Sequence, residues 1–191
     1  MQHKWTCLVM ISLFNICPPS DACPCVDFHL QSFFCNWDFV IKGEFLTERN
    51  VTTHSGFSRE GYDILVKKVF KGGDLLGKVI FVSRMVGTSC EIRYDYRNTD
   101  CLIIGRGSST SDNMYLNACS YVSLWSQLSA NQIKGIHGAY SAGCNCTIWF
   151  CSGEQCAPTT CPLMDLDRDS DKALKERCVS KNGTCTWESV Q

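Results

Sequence analysis

The chain has few of the side chains that hydrolytic and redox enzymes use. It has four histidines, at positions 3, 29, 54 and 137, and they fall into no Ser-His-Asp or Cys-His constellation. No Cys-x-x-Cys opens a helix within a βαβ unit, which argues against a thiol oxidoreductase. Charged residues make up 19% and the formal net charge is -1, so there is no basic excess to attract nucleic acid. Beyond the first 22 residues no run is apolar enough to span a membrane, and no internal repeat or low-complexity segment stands out.

Cysteine, by contrast, is plentiful, with 15 in the chain. Lys4, a short apolar stretch from Cys7 to Ile16 and the small-x-small triplet Ser20-Asp21-Ala22 read as a signal peptide over residues 1–22. Its apolar run is too short for an anchor, so the mature chain is expected to be secreted and extracellular, beginning at Cys23. Cys7 and Cys17 leave with the leader, and the other thirteen form an odd set in an oxidising compartment, read as a disulfide framework with one thiol over. Zinc is the competing reading for Cys144, Cys146, Cys151, Cys156 and Cys161, but their spacing lacks paired Cys-x2-Cys knuckles.

Composition shifts near residue 145. Residues 23–144 carry widely spaced cysteines and several runs rich in β-branched and aromatic residues, at 39–45, 62–70, 79–82 and 102–104. Glycine-bearing turns such as Lys71-Gly72-Gly73-Asp74 punctuate them. Residues 29–36 suit a short helix, and Ser129 with Gln132 forms a capping box for another that runs towards Ala139. Residues 145–191 hold six cysteines in a stretch too short to build a large core. The expectation is a mainly β chain with a few helices: a small closed β-barrel with helices packed on it, then a small disulfide-rich domain.

The pattern Cys23-x-Cys25-Val26, Phe34-Cys35-Asn36, Tyr62-Asp63-Ile64, the Lys71-Gly72 turn and Cys90 is joined by Leu102-Ile103-Ile104-Gly105. Trp125-x-x-Leu128-Ser129-x-x-Gln132, Gly143-Cys144-x-Cys146 and Cys185-Thr186-Trp187 complete it. With twelve cysteines in the same order, the sequence resembles the tissue inhibitors of metalloproteinases over nearly all of the mature chain, in a two-domain form with a shortened C-terminal domain. The resemblance implies an N-terminal OB-fold (netrin-like) β-barrel at 23–144 and a disulfide-rich domain at 145–191. It implies the pairs Cys23–Cys90, Cys25–Cys119 and Cys35–Cys144, then Cys146–Cys185, Cys151–Cys156 and Cys161–Cys178. Cys101 is left unpaired; a buried thiol and an intermolecular bridge are both open for it.

The resemblance also implies a function that needs no cofactor of its own. The α-amine and carbonyl of Cys23 would chelate the catalytic zinc of a target enzyme, a matrix metalloproteinase-like protease. Pro24 would enter the specificity pocket, Val26 and Asp27 would continue along the cleft, and Val86, Gly87, Thr88, Ser89 and Cys90 would flank the terminus, with Cys25 completing the ridge. Pro24 stands where the family usually has Thr or Ser, and Asp27 where it often has Pro; both bear on selectivity. The alternative is a non-inhibitory netrin-like module acting through a receptor or matrix partner. Lys67, Lys68 and Lys71 read as a solvated strand face, with extracellular matrix as the other use.

Three sequons occur, at Asn50, Asn145 and Asn182. Asn50, in a polar loop, and Asn182 are the glycosylation candidates, whereas Asn145 is expected to be hindered between two half-cystines. Asp165, Asp167, Asp169 and Glu176 fit the acidic positions of a calcium loop, but Ser170 replaces its glycine and Lys172 an apolar position. A solvated acidic loop leading into a short helix suits the segment better.

Overall fold

Alternation of side chains along two neighbouring strands divides the interior into two cores. The structure, a computed structural model, describes residues 23, 25, 29–52, 56–87, 90–108, 113–163 and 171–190. The leader, Pro24, Val26, Asp27, Thr88, Ser89, Asp165, Asp167, Asp169 and Ser170 lie outside the described residues. Helix α1 (Leu30–Asn36) precedes the long hairpin of β1 (Phe39–Thr52) and β2 (Ser58–Lys71). Strands β3 (Val79–Arg84), β4 (Asp100–Gly105), β5 (Tyr115–Leu116) and β6 (Tyr121–Leu124) complete a six-stranded sheet in the order β5-β3-β2-β1-β4-β6.

Successive residues of a strand point to opposite faces. Phe39, Ile41 and Phe45 of β1 and Cys101 and Ile103 of β4 therefore meet Ile64, Val66, Val82 and Leu116 on the concave side. Val40, Leu102 and Ile104 point outwards, against Leu30, Phe33, Phe34 and Trp37 of the α1 region and against Leu128, Ile136 and Tyr140. Burying each such side chain contributes about 1.5–3 kcal/mol, and the central strands gain on both faces. Gly43 lets the hairpin curl: a Cβ there would lie 2.6 Å from the Ile64 side chain.

The expected barrel forms but is not closed. Strand β5 is two residues long, pairs in parallel with β3, and reaches the far end of β4 through one isolated bridge between Arg106 and Tyr115. So short a strand cannot supply a continuous closing ladder, and β6 is left at the other edge.

Helix α2 (Ala130–Lys134) opens with the expected capping box. Ser129 Oγ accepts from the Gln132 amide at 3.1 Å, and Gln132 Oε1 accepts from the Ser129 amide at 2.9 Å. A wider turn carries the chain on to Ala139, placing Ile136 and Tyr140 in the outer core.

Strands β7 (Thr147–Trp149) and β8 (Thr160–Pro162) pair in parallel. Helix α3 (Asp171–Lys175) then leads into the hairpin of β9 (Glu176–Lys181) and β10 (Thr184–Ser189). Asn182 and Gly183 turn that hairpin with φ of 53° and 82°, the paired positive values a two-residue turn of matching twist requires. The core of this half is made of half-cystines: Cys161, Cys178 and Cys185, with Ile148 and Trp187 beside them.

Packing runs without a break across positions 144 and 145. Val190 joins the outer core with Leu30 and Tyr140. Ser129 Oγ donates to the Leu174 carbonyl at 2.6 Å, and Arg177 Nη1 donates to the Ala139 carbonyl at 2.8 Å.

Candidate functional site

Cys23 and Cys25 are sewn into two separate stretches of the barrel that touch each other. Cys23 bonds Cys90 and Cys25 bonds Cys119, with Cα separations of 5.5 and 5.2 Å. Cys90 and the neighbour of Cys119 are themselves joined, because the Ala118 amide donates to the Cys90 carbonyl at 3.2 Å. A ring results: Cys23, residue 24, Cys25, Cys119, Ala118 and Cys90. A segment bridged on both sides of one residue has little conformational freedom left.

The other bridges are Cys35–Cys144, Cys146–Cys185, Cys151–Cys156 and Cys161–Cys178. The structure thus brings together all six pairs that the family resemblance implies. The three in the barrel half span 67, 94 and 109 positions, and loop closure over such lengths is worth about 4–5 kcal/mol each in the chain-entropy account.

Cys101 is the free cysteine among the described residues. It is wholly buried in β4 against the inner core, and burial, followed by the Asp100 carboxylate, pushes its thiol up to about 12. A protonated thiol enclosed by the inner core has no path to a partner's cysteine, so the intermolecular bridge loses its footing.

Ahead of Cys90 in the chain, Met85 and Val86 are 40% and 38% exposed and Gly87 turns the chain at φ 69°. The Met85 amide donates to the Leu116 carbonyl at 3.1 Å, which fixes where this segment leaves the sheet. Behind it lies a cluster that pattern-reading missed. The Arg84 guanidinium is buried and surrounded by Glu48, Glu60 and Glu91. The signal available was an arginine ending an apolar strand run, Val-Ile-Phe-Val-Ser-Arg, which shows nothing of its three partners.

Two of the three clustered lysines are tied down, while Lys68 is exposed over the Phe70 ring. Lys67 pairs with Glu44 at 2.5 Å and Asp100 at 2.6 Å, and Lys42 also meets Asp100, at 2.9 Å. Lys71 donates to the carbonyls of Phe34 and Cys35, and burial lowers its pKa. These cations tie strands and α1 together.

Asn50 sits within β1, paired across the hairpin with Glu60, rather than in a loop, because the two strands keep pairing out to Thr52 and Ser58. It is exposed, as is Asn182 at the β9–β10 turn. Asn145 and Thr147 are exposed as well, so the neighbouring half-cystines do not bury that sequon.

The site is thus an open barrel-type sheet with a Cys-x-Cys segment bridged to Cys90 and Cys119. Residues 21–187 match the family model described as tissue inhibitor of metalloproteinase, and the chain belongs to that family. It is 27% identical over 194 residues to metalloproteinase inhibitor 2 of Bos taurus, covering 95% of this chain and 87% of the relative. Metalloproteinase inhibitor 2 of Homo sapiens is 26% identical over 193 residues, with 94% and 87% covered. Metalloproteinase inhibitor 3 of Scyliorhinus torazame is 28% identical over 189 residues, with the same shares covered. Membership places the chain among protein inhibitors rather than enzymes. Among the described residues no helix is long and apolar enough to cross a membrane.

Proposed function

We propose that this protein is a secreted inhibitor of zinc metalloproteinases, acting through the free α-amine and carbonyl oxygen of Cys23 once residues 1–22 are removed. The observation that carries the reading is the double anchoring of the terminus, Cys23 to Cys90 and Cys25 to Cys119. A catalytic zinc keeps one coordination position open for water. The amine nitrogen and carbonyl oxygen of one residue close a five-membered ring on such an ion and displace the water that would attack substrate. The amine binds in its neutral form, and with an α-amino pKa of about 7.7–8 deprotonation is inexpensive near neutral pH. Anchoring on both sides lowers the entropy lost on binding, so a short ridge can bind tightly.

In this reading Pro24 enters the specificity pocket, Val26 and Asp27 follow the cleft, and residues 86–90 flank it. Residues 23–144 form the inhibitory unit and residues 145–191 buttress it. The test is to compare inhibition of a matrix metalloproteinase catalytic domain by protein beginning at Cys23 and by protein with one alanine added before it. The extension should abolish inhibition, and an extended protein as potent as the native one would overturn chelation.

A further inference from the structure

The exposed segment at residues 85–87 carries its own internal clasp. Arg84 ends β3 with a side chain only 1% exposed, fixed among carboxylates from three places. Nη2 donates to Glu60 of β2, Nη1 donates to Glu91 Oε1 at 2.7 Å, and Nε lies 3.3 Å from Glu48 Oε1 of β1 without hydrogen-bond alignment. An arginine so surrounded is a rigid post. The second oxygen of Glu91, Oε2, accepts from the Gly87 amide at 2.9 Å. One carboxylate thus spans from the post to the turn, and it belongs to the residue directly after Cys90. The Gly87 amide first, and the Arg84 guanidinium after it, hold the Glu91 carboxyl below the usual carboxylate range, as expected of a group whose ionised form makes these bonds.

We propose that Glu91 is a positioning residue for metalloproteinase binding, clasping the turn at residues 85–87 to the Arg84 post and so presetting Cys90 and the Cys23 terminus bonded to it. The inference rests on the inhibitory reading above. Val86 is exposed at the start of the stretch, residues 86–90, that this reading puts along the second edge of the ridge, and Met85, directly before it, is exposed as well. Gly87 turns the chain at φ 69°, and a Cβ built there would meet nothing within 4 Å. Among the described residues, the bond from its amide to Glu91 and the bond from the Met85 amide to the Leu116 carbonyl tie the turn down. Without the clasp the turn samples other conformers, and apparent affinity falls by the fraction that remains competent. Glu91 itself is 41% exposed, and without it the Arg84 guanidinium keeps Glu60 and Glu48 beside it, so the fold should survive its removal.

The experiment uses full-length mature protein, as native, Glu91→Ala and Glu91→Gln forms. Three quantities are read: hydrogen exchange at the Gly87 amide, association and inhibition constants with a matrix metalloproteinase catalytic domain, and Tm. Glu91→Ala should lose Gly87 protection and raise the inhibition constant about tenfold, mostly through slower association, if the competent fraction falls to about a tenth. Its Tm should stay within about 2 °C of native, as for other surface substitutions. Glu91→Gln keeps an acceptor for the Gly87 amide and should fall between the two in both exchange and inhibition. Unchanged Gly87 protection in Glu91→Ala, or lost protection with unchanged inhibition, overturns the proposal. So does a fall in Tm that tracks the loss of inhibition, because Glu91 would then be structural. If the native protein inhibits no metalloproteinase, the inhibitory reading fails first and this one with it; Gly87 exchange then reports a clasp without that purpose.

Discussion

The side-chain amide of Gln31 and the backbone of Cys178, 147 positions apart, exchange two hydrogen bonds. Nε2 donates to the Cys178 carbonyl at 2.7 Å, and Oε1 accepts from the Cys178 amide at 2.8 Å. The glutamine is 1% exposed and Cys178 is wholly buried. An α1 side chain thereby stands in for a strand neighbour of β9 and locks the cysteine-rich half onto the barrel half. Gln31→Leu would leave a buried donor and acceptor unpaired, at about 1–3 kcal/mol each. We expect chemical denaturation to show the variant destabilised by about 2–6 kcal/mol, with all six disulfides retained. A loss below about 0.5 kcal/mol, the range of a neutral surface change, would contradict it.

His29 caps α1 from the same seam. Its Nδ1 accepts from the Gln31 amide at 3.1 Å, and Nε2, carrying the proton, donates to the Lys172 carbonyl at 3.1 Å. Burial lowers its pKa to about 4 from an ordinary value of 6.5. The folded state therefore holds the neutral ring while the unfolded chain protonates first. The sign follows: this stability is intact above pH 6.5 and is lost as pH falls from 6.5 towards 4. Between pH 7.5 and 5 the loss from this one group is about 2 kcal/mol. His29→Asn keeps a capping oxygen but cannot titrate. Denaturation across that pH range should fall by about 2 kcal/mol less in the variant than in the native protein; parallel curves would contradict the assignment.

Cys101 faces the inner core beside Ile41, Ile64 and Ile103. In native protein a thiol reagent should find nothing to react with, and after unfolding in guanidinium without reductant it should find one thiol per chain. Cys101→Ala should cost about 1–2 kcal/mol as a small core cavity. Cys101→Ser should cost at least as much, by burying a hydroxyl. Fast labelling of the folded protein, or a disulfide-linked dimer on a non-reducing gel, would contradict this placement.

Pro24 has the greatest leverage on affinity if Cys23 chelates zinc. A proline offers no N–H to the enzyme and only partly fills a deep pocket. Pro24→Thr should tighten binding to deep-pocket metalloproteinases by about 1–2 kcal/mol. Pro24→Arg should weaken it where the pocket is apolar, since a charge would be buried unpaired. Inhibition constants for both variants against several enzymes measure this. Constants unmoved throughout would mean residue 24 lies outside the pocket.

Much of this architecture is set by the order of residues. Runs of β-branched and aromatic residues at 39–45, 62–70, 79–82 and 102–104 lie within β1 to β4, because a period of two suits a strand buried on alternate faces. Glycines at 72 and 73, both at positive φ, end the β2 run where the turn is expected. The Ser129–Gln132 box and α1 are local too, since a cap satisfies amides of its own first turn. Local pattern could not say how far strands pair: β1 and β2 run past the apolar segment to Thr52 and Ser58 because each supplies the other's hydrogen bonds. Nor could it say that the barrel stays open, which turns on β5 pairing for two residues only. The burial of His29, Gln31 and Arg84 was equally out of reach. A polar side chain is admitted to the interior only when partners meet its hydrogen bonds or charge. Here those partners are Lys172, Cys178 and a trio of glutamates, all but Glu91 distant in the chain and brought adjacent only once it has folded.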